Sequence, residues 1–312
     1  MQQAAQTTVL DPTLAARVRE AAGVSWSAAR ELCLSGRVSV DGVPATDPAA
    51  RPPAESRVEI AASAAPAASI VVHLDGDVVV VRKAAGLLTV PFDRGDKGTL
   101  LDLARVAVRR LEAARGGGRP TLRAVQRLDK ESSGLVVFAR SIAAQRDLQE
   151  QLREHTVLRR YRAIAHGAVS DANFDTLLLD DRGDGLRGSW GVFRIAPGDS
   201  EPPPAAKRAL TRVRTVERLR GATLVACELG TGRQHQIRIH LAEAGHPLVG
   251  ETVYVRDFRG PRLPAPRPML HAEVLGFVHP RTGQALRFAD EPPADFAAVL
   301  AALRSLHPKG AS

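Results

Sequence analysis

The sequence predicts an α+β fold built on a largely antiparallel sheet. Three observations lead there. Strand-like segments outnumber helical ones, and the two kinds do not alternate as βαβ units would. A low-complexity run, Ala61-Ala-Ser-Ala-Ala-Pro-Ala-Ala-Ser69, separates a small N-terminal unit, residues 1–62, from a larger one, 70–312.

The elements follow in order. Leu14 to Ala22 has helical spacing. Ser25 and Ser27 are capping residues for a second helix, Ala28 to Leu34, which Gly36 would stop. Val38 and Val40 alternate with polar residues before an Asp41-Gly42 turn, and Val58 and Ile60 close the unit as a strand. In the larger unit, Ile70 to Val72 and Val78 to Val81 read as strands. Thr99 caps a helix with apolar positions at Leu100, Leu103, Ala107 and Leu111, ended by Gly116-Gly-Gly118. Ser141 caps another, with Leu148 and Leu152 on one face. Val157 to Gly167 and Leu210 to Leu229 look extended, residues 180–208 look like a loop or insertion, and Ala297 to Leu306 is a final helix.

Composition bounds the function. The 312 residues are 44% hydrophobic and 25% charged, ordinary for a globular protein. No apolar run reaches the length of about 18 that a membrane span needs. The N-terminus does not read as a secretory signal, and two distant cysteines, Cys33 and Cys227, suit a reducing cytoplasm. A formal charge of +9, from 43 Lys and Arg against 34 Asp and Glu, points to a polyanionic partner. Residues 1–62 hold six Arg and seven Asp or Glu, so the excess lies in the larger unit.

Three dense patches carry the chemistry. Arg127-Leu128-Asp129 lies between apolar stretches and before Ser132-Ser133-Gly134, an arrangement that exposes one carboxylate from a rigid frame; it equally fits an ordinary surface hairpin. Arg159-Arg160-Tyr161-Arg162 sets one of only two tyrosines among cations, where it can stack on a base while arginines hold phosphates; it equally fits a core or strand-face tyrosine. Gly230-Thr-Gly-Arg233 is a tight turn presenting an arginine able to clamp a carboxylate or phosphate, or else a strand-edge arginine facing water; Ile237, Ile239 and Leu241 then alternate with Arg238 and His240 in the manner of a strand. Other chemistries lack their spacing. His235, His240, His246, His271 and His279 include no HExxH pair, no phosphate loop follows Gly116-Gly-Gly118, the Asp180–Gly185 stretch lacks a calcium-loop pattern, and no Gly-x-Ser-x-Gly elbow occurs.

Taken in order, these patches resemble the RluA-type family of RNA pseudouridine synthases. Arg127 to Leu135 matches the pattern around the family's acid, Arg160 to Gly167 its basic-aromatic strand, and Thr231 to Leu241 its Thr-Gly-Arg-x-His-Gln-Ile-Arg-x-His-Leu signature. Lys83 to Pro91, Gly245 to Gly250, Tyr254, Leu270-His-Ala272 and His279 to Gly283 continue the likeness across residues 70–295. The N-terminal unit resembles an S-four-type (alpha-L) RNA-binding domain over Ser27 to Gly42.

The resemblance implies that a uridine in structured RNA is isomerised to pseudouridine without cofactor or metal. Large-subunit rRNA stands ahead of tRNA as substrate, with a monomer working in the cytoplasm. It makes Asp129 the catalytic acid, as nucleophile or base, with Arg233 as its ion-pair partner and Tyr161 stacked on the flipped uracil. Arg127 and Arg238 would contact the substrate, and Ile237 and Leu241 would line the pocket. Three positions depart from the family pattern. Gln126 replaces a common His, Gln234 a usual Thr, and Glu251 a frequent Asp. They bear on hydrogen bonding around the site, and leave a non-catalytic RNA-binding factor on the same fold as the alternative.

Overall fold

The computed structural model describes residues 11–34, 37–41, 43–45, 48–60, 70–93, 96, 98–113, 120–192 and 201–305. The predicted linker over 61–69, Gly36, Gly42 and Gly116 to Gly118 lie outside these residues. The chain forms two compact units, residues 1–71 with 90–120, and residues 72–89 with 121–312.

In the first unit, α1 (Leu14–Ala22) begins where Thr13 Oγ1 accepts from the Ala16 amide at 3.2 Å, and ends at Gly23 in the left-handed conformation. α2 (Trp26–Leu34) starts two residues earlier than predicted. Ser25 supplies the cap, leaving Ser27 inside the helix. Strands β1 (Val38–Val40), β2 (Val43–Pro44) and β3 (Val58–Ile60) pair antiparallel in the order β2-β1-β3. Leu14, Val18, Ala29, Cys33 and Val38 form their common core. Further along, α3 (Leu100–Ala113) opens on a reciprocal cap, in which the Thr99 amide and hydroxyl both donate to Asp102 Oδ2, at 3.1 and 3.0 Å.

The second unit is organised by one sheet. Its strands are β4 (Val71–Leu74), β5 (Val78–Lys83), β6 (Arg123–Ala124), β7 (Ser133–Ala139), β8 (Leu158–His166), β9 (Ala172–Leu179), β10 (Gly188–Ser189), β11 (Lys207–Leu219), β12 (Ala222–Leu229), β13 (Leu270–Val278) and β14 (Ala285–Ala289). They run in the order β10-β9-β11-β12-β8-β13-β7-β5-β4, with β14 on β13 and β6 on β7. The β5–β7, β8–β13, β8–β12, β11–β12 and β9–β11 pairings are antiparallel, and β7–β13 is parallel. The segment 210–229 is therefore a hairpin, and the expected loop over 180–208 contains β10 and the start of β11.

Helices cover the sheet. Leu148 of α4 (Ile142–Arg153) packs with Val78, Val80, Leu135, Val137, Leu275 and Phe277. Phe296, Leu300 and Leu303 of α6 (Ala294–Ser305) pack with Ile164, Leu224 and Met269. Each such aliphatic side chain contributes about 1.5–3 kcal/mol on full burial. Among the described residues no helix is long and apolar enough to cross a membrane.

At the β7–β13 junction the strands almost touch. A Cβ on Gly134, whose φ is +118°, would sit 2.3 Å from the Ala272 carbonyl oxygen. The Ser-Ser-Gly run predicted as a turn therefore also starts a strand, and its glycine permits the close crossing.

Candidate active site

Asp129 lies on the loop between β6 and β7, and two buried groups fix that loop. Thr89 Oγ1 accepts from the Leu128 amide at 3.0 Å and donates to the Leu128 carbonyl at 2.9 Å. The ammonium of Lys83, a residue only 2% exposed, donates to the carbonyls of Ala84, Lys130 and Ser132 at 3.1, 2.8 and 2.6 Å. Burial pulls Lys83 down to about 7, against the Glu131 and Asp129 carboxylates. Lys83 and Thr89 thus hold the Asp129 loop from behind, a role the sequence left unassigned.

The Asp129 side chain is 20% exposed and reaches a cleft of about 520 Å³. Its Oδ2 lies 3.7 Å from Arg238 Nη1 and 3.9 Å from His235 Nε2. Arg238 is itself gripped. Its Nε and Nη2 donate to the two oxygens of Glu251 at 2.8 and 2.7 Å. The Glu251 side chain is fully buried and also accepts from the Val253 amide at 2.9 Å. These contacts hold Glu251 below the usual carboxylate range despite its burial. The His235 Nδ1 and the Tyr254 hydroxyl are 2.7 Å apart, and the Arg238 guanidinium lies over the Tyr254 ring at 5.4 Å.

Here the structure corrects the sequence. Residues Gln236–Glu243 form a helix, α5, where the alternation of Ile237, Ile239 and Leu241 predicted a strand. A single helical turn places His235 and Arg238 side by side, so both meet Asp129. The expected Arg233–Asp129 pair is absent. Arg233 lines the cleft, but its Nε donates to the Arg208 carbonyl at 3.0 Å, and Arg238, expected to touch substrate, is the counter-ion. Ile237 lines the cleft, whereas Leu241 is completely buried and is not among the lining residues.

Tyr161 on β8 and Arg127 beside Asp129 both line the cleft, as does Gln126. Burial pushes the Tyr161 phenol up to about 12, so it stays protonated at neutral pH. The cleft carries Arg127, Arg153, Arg159 and Arg233 against the single carboxylate of Asp129, a balance that favours an anionic ligand. The five histidines weighed as metal ligands are engaged separately. His235 meets Tyr254, His240 meets Thr176 and Thr211, His246 meets the His166 carbonyl, and His271 meets Ser133. His279 accepts at Nδ1 from the Arg281 and Thr282 amides, which leaves its Nε2 proton facing Asp75 at 3.2 Å.

The model of the RNA pseudouridylate synthase family matches residues 77–243, spanning Asp129, Tyr161 and Arg238. The chain belongs to that family. An uncharacterized RNA pseudouridine synthase of Bacillus subtilis, YlyB, is 37% identical over 236 residues, covering 74% of this chain and 71% of that one. The ribosomal large subunit pseudouridine synthase D of Neisseria meningitidis serogroup A is 36% identical over 252 residues, 77% of this chain and 62% of its own length. The chain thus spans under two thirds of that second relative. Two human pseudouridylate synthase structures share the fold. Domain-containing protein 4 has a TM-score of 0.62 at 21% identity, covering 76% of this chain and 95% of that one. Domain-containing protein 1 has a TM-score of 0.51 at 23% identity, covering 71% and 82%. Members of this pseudouridylate synthase family are isomerases acting on uridine in RNA.

Proposed function

We propose that this chain converts a uridine of structured rRNA to pseudouridine at the Asp129 cleft. The observation that carries the reading is a carboxylate facing a cationic cleft, held by an arginine that a second buried carboxylate clamps in place. The reaction breaks the bond between ribose C1′ and uracil N1, rotates the base and joins C1′ to C5. A proton leaves C5 and one is gained at N1, so no cofactor enters the balance. Asp129 supplies the carboxylate at the reacting nucleotide, as nucleophile or base. Arg238 keeps it ionised and oriented. Tyr161 packs against the extruded uracil, and Ile237 helps exclude water. Arg127 grips the RNA near the target.

Extruding a stacked base costs a few kcal/mol, which favours uridines in loops and bulges. The large subunit pseudouridine synthases among the relatives support rRNA ahead of tRNA. The N-terminal unit, residues 1–62, is proposed as an accessory RNA-binding domain of the S-four type, and the protein as a cytoplasmic monomer.

The test replaces Asp129 with Asn and maps pseudouridine in rRNA and tRNA from cells carrying either form. One rRNA site should lose its pseudouridine while the purified variant still binds RNA. Unaltered modification in the Asp129→Asn strain would overturn the assignment.

A further inference from the structure

Alternate residues of β8 face opposite sides of the sheet. Arg160 and Arg162 share the Glu273 carboxylate, whereas Arg159 and Tyr161 both line the Asp129 cleft. Two strand residues span about 6.8 Å, comparable to the distance from a nucleobase to the phosphate of its own nucleotide.

Arg159 is only 7% exposed, and no carboxylate pairs with it among the described residues. Its Nη2 donates to two neutral carbonyls, Leu229 at 3.4 Å and Gly230 at 3.2 Å. Its Nε is buried without a partner. Burial lowers its pKa, yet a guanidinium keeps its charge in a protein. Gly232 makes room for it, since a Cβ there would stand 2.6 Å from Arg159 Nη1. His155, Arg159 and Leu229 also line a second cleft, which continues past Asn173 and Arg212 and whose two carboxylates, Asp175 and Glu228, are paired with Arg208 and Arg212. The guanidinium sits where the two clefts join.

A buried cation without a counter-ion is costly, and its natural complement is an anion that arrives with the ligand. We propose that Arg159 holds a backbone phosphate flanking the target uridine, where the RNA strand passes from the Asp129 cleft into the neighbouring one. This rests on the reading of the first cleft as the uridine site. A phosphate oxygen accepts from Arg159 Nη1 beside Gly232, while Nη2 stays anchored on Leu229 and Gly230.

The probe is an rRNA stem-loop with a single loop uridine, made with ordinary diesters or with one neutral methylphosphonate beside that uridine, tried on each side in turn. Binding to the full-length protein is measured against salt concentration. Neutralising the phosphate should weaken wild-type binding about tenfold and flatten the slope of log K against log salt by about 0.7–0.9. Arg159→Gln should reproduce both changes on the diester RNA, and the methylphosphonate should then weaken that variant no further. The loss should fall on Kd more than on the rate at saturating RNA. Gly232→Ala, which crowds the guanidinium without removing its charge, should weaken diester binding as well. Equal wild-type affinity for the diester and both methylphosphonate RNAs overturns the proposal, as does an additive loss in Arg159→Gln. The phosphate substitution leaves the protein unaltered, so a misfolded variant cannot decide the matter. Pseudouridine formed by wild type on the diester probe reports separately on the uridine-site reading.

Discussion

The two sides of strand β8 carry almost the same residues and do different things. On one side Arg160 and Arg162, both partly exposed, close on the one buried carboxylate of Glu273. On the other side Arg159 and Tyr161 face a cleft whose carboxylate, Asp129, is already paired with Arg238. A run that reads as one basic cluster therefore divides between a face tied to Glu273 and a face open to the cleft. The period of two decides which face a residue joins, and the buried Glu273 offsets one of the two cations on its side.

The strongest way to break this comparison is to loosen the cleft side. Arg238→Lys keeps the charge but cannot hold both oxygens of Glu251 while facing Asp129. The rate at saturating RNA should fall at least tenfold, about 1.4 kcal/mol of barrier, with RNA affinity little changed. Single-turnover kinetics against a binding isotherm would show it, and an unaltered rate would mean that the clamp does not orient the carboxylate.

A smaller effect is expected on the closed side. Glu273→Gln leaves Arg160 and Arg162 adjacent without their shared anion. Denaturant unfolding should record a loss of about 1–3 kcal/mol while activity on RNA is kept. Equal losses of activity from both sides of the strand would erase the distinction drawn here.

The smallest effect is an absence. Because burial pushes Tyr161 up to about 12, its phenol stays neutral where an exposed tyrosine begins to ionise. Wild type and Tyr161→Phe should show the same shape of rate against pH from 8 to 10. An alkaline fall present only in wild type would assign it to this phenol. For stability the sign is the reverse of a gain. The unfolded chain ionises first, so the Tyr161 contribution is lost as pH rises from about 10 to about 12.

Much of the fold was legible because its signals are local. The Ser25 and Ser141 caps and the apolar runs of β5 and β8 fall where the residues place them. Helix α5 was not legible. Residues Gln236 to Leu241 are all buried, so no polar face marks a helical period, and two β-branched isoleucines imitate a strand. The family resemblance puts Arg233 against Asp129, whereas the helical turn brings Arg238 there. Glu251 was noticed only as a departure from the family pattern, because its importance lies in what it holds across space. Arg127 and Asp129 stand out in one dense motif and Tyr161 in another, and all three line the cleft.

The junction of β7 and β13 has a consequence in time. Ser133 and His271, whose side chains meet at 3.0 Å, are 138 residues apart in the chain. The strand that follows Asp129 thus waits for a partner made almost half the protein later, and each doubling of such a loop adds only about 0.6 kcal/mol of closure entropy. The thermodynamic cost is modest, but the order of events is constrained. During synthesis the Asp129 loop emerges with β5 already available to pair with β7, but its support is completed only when β13 is in place.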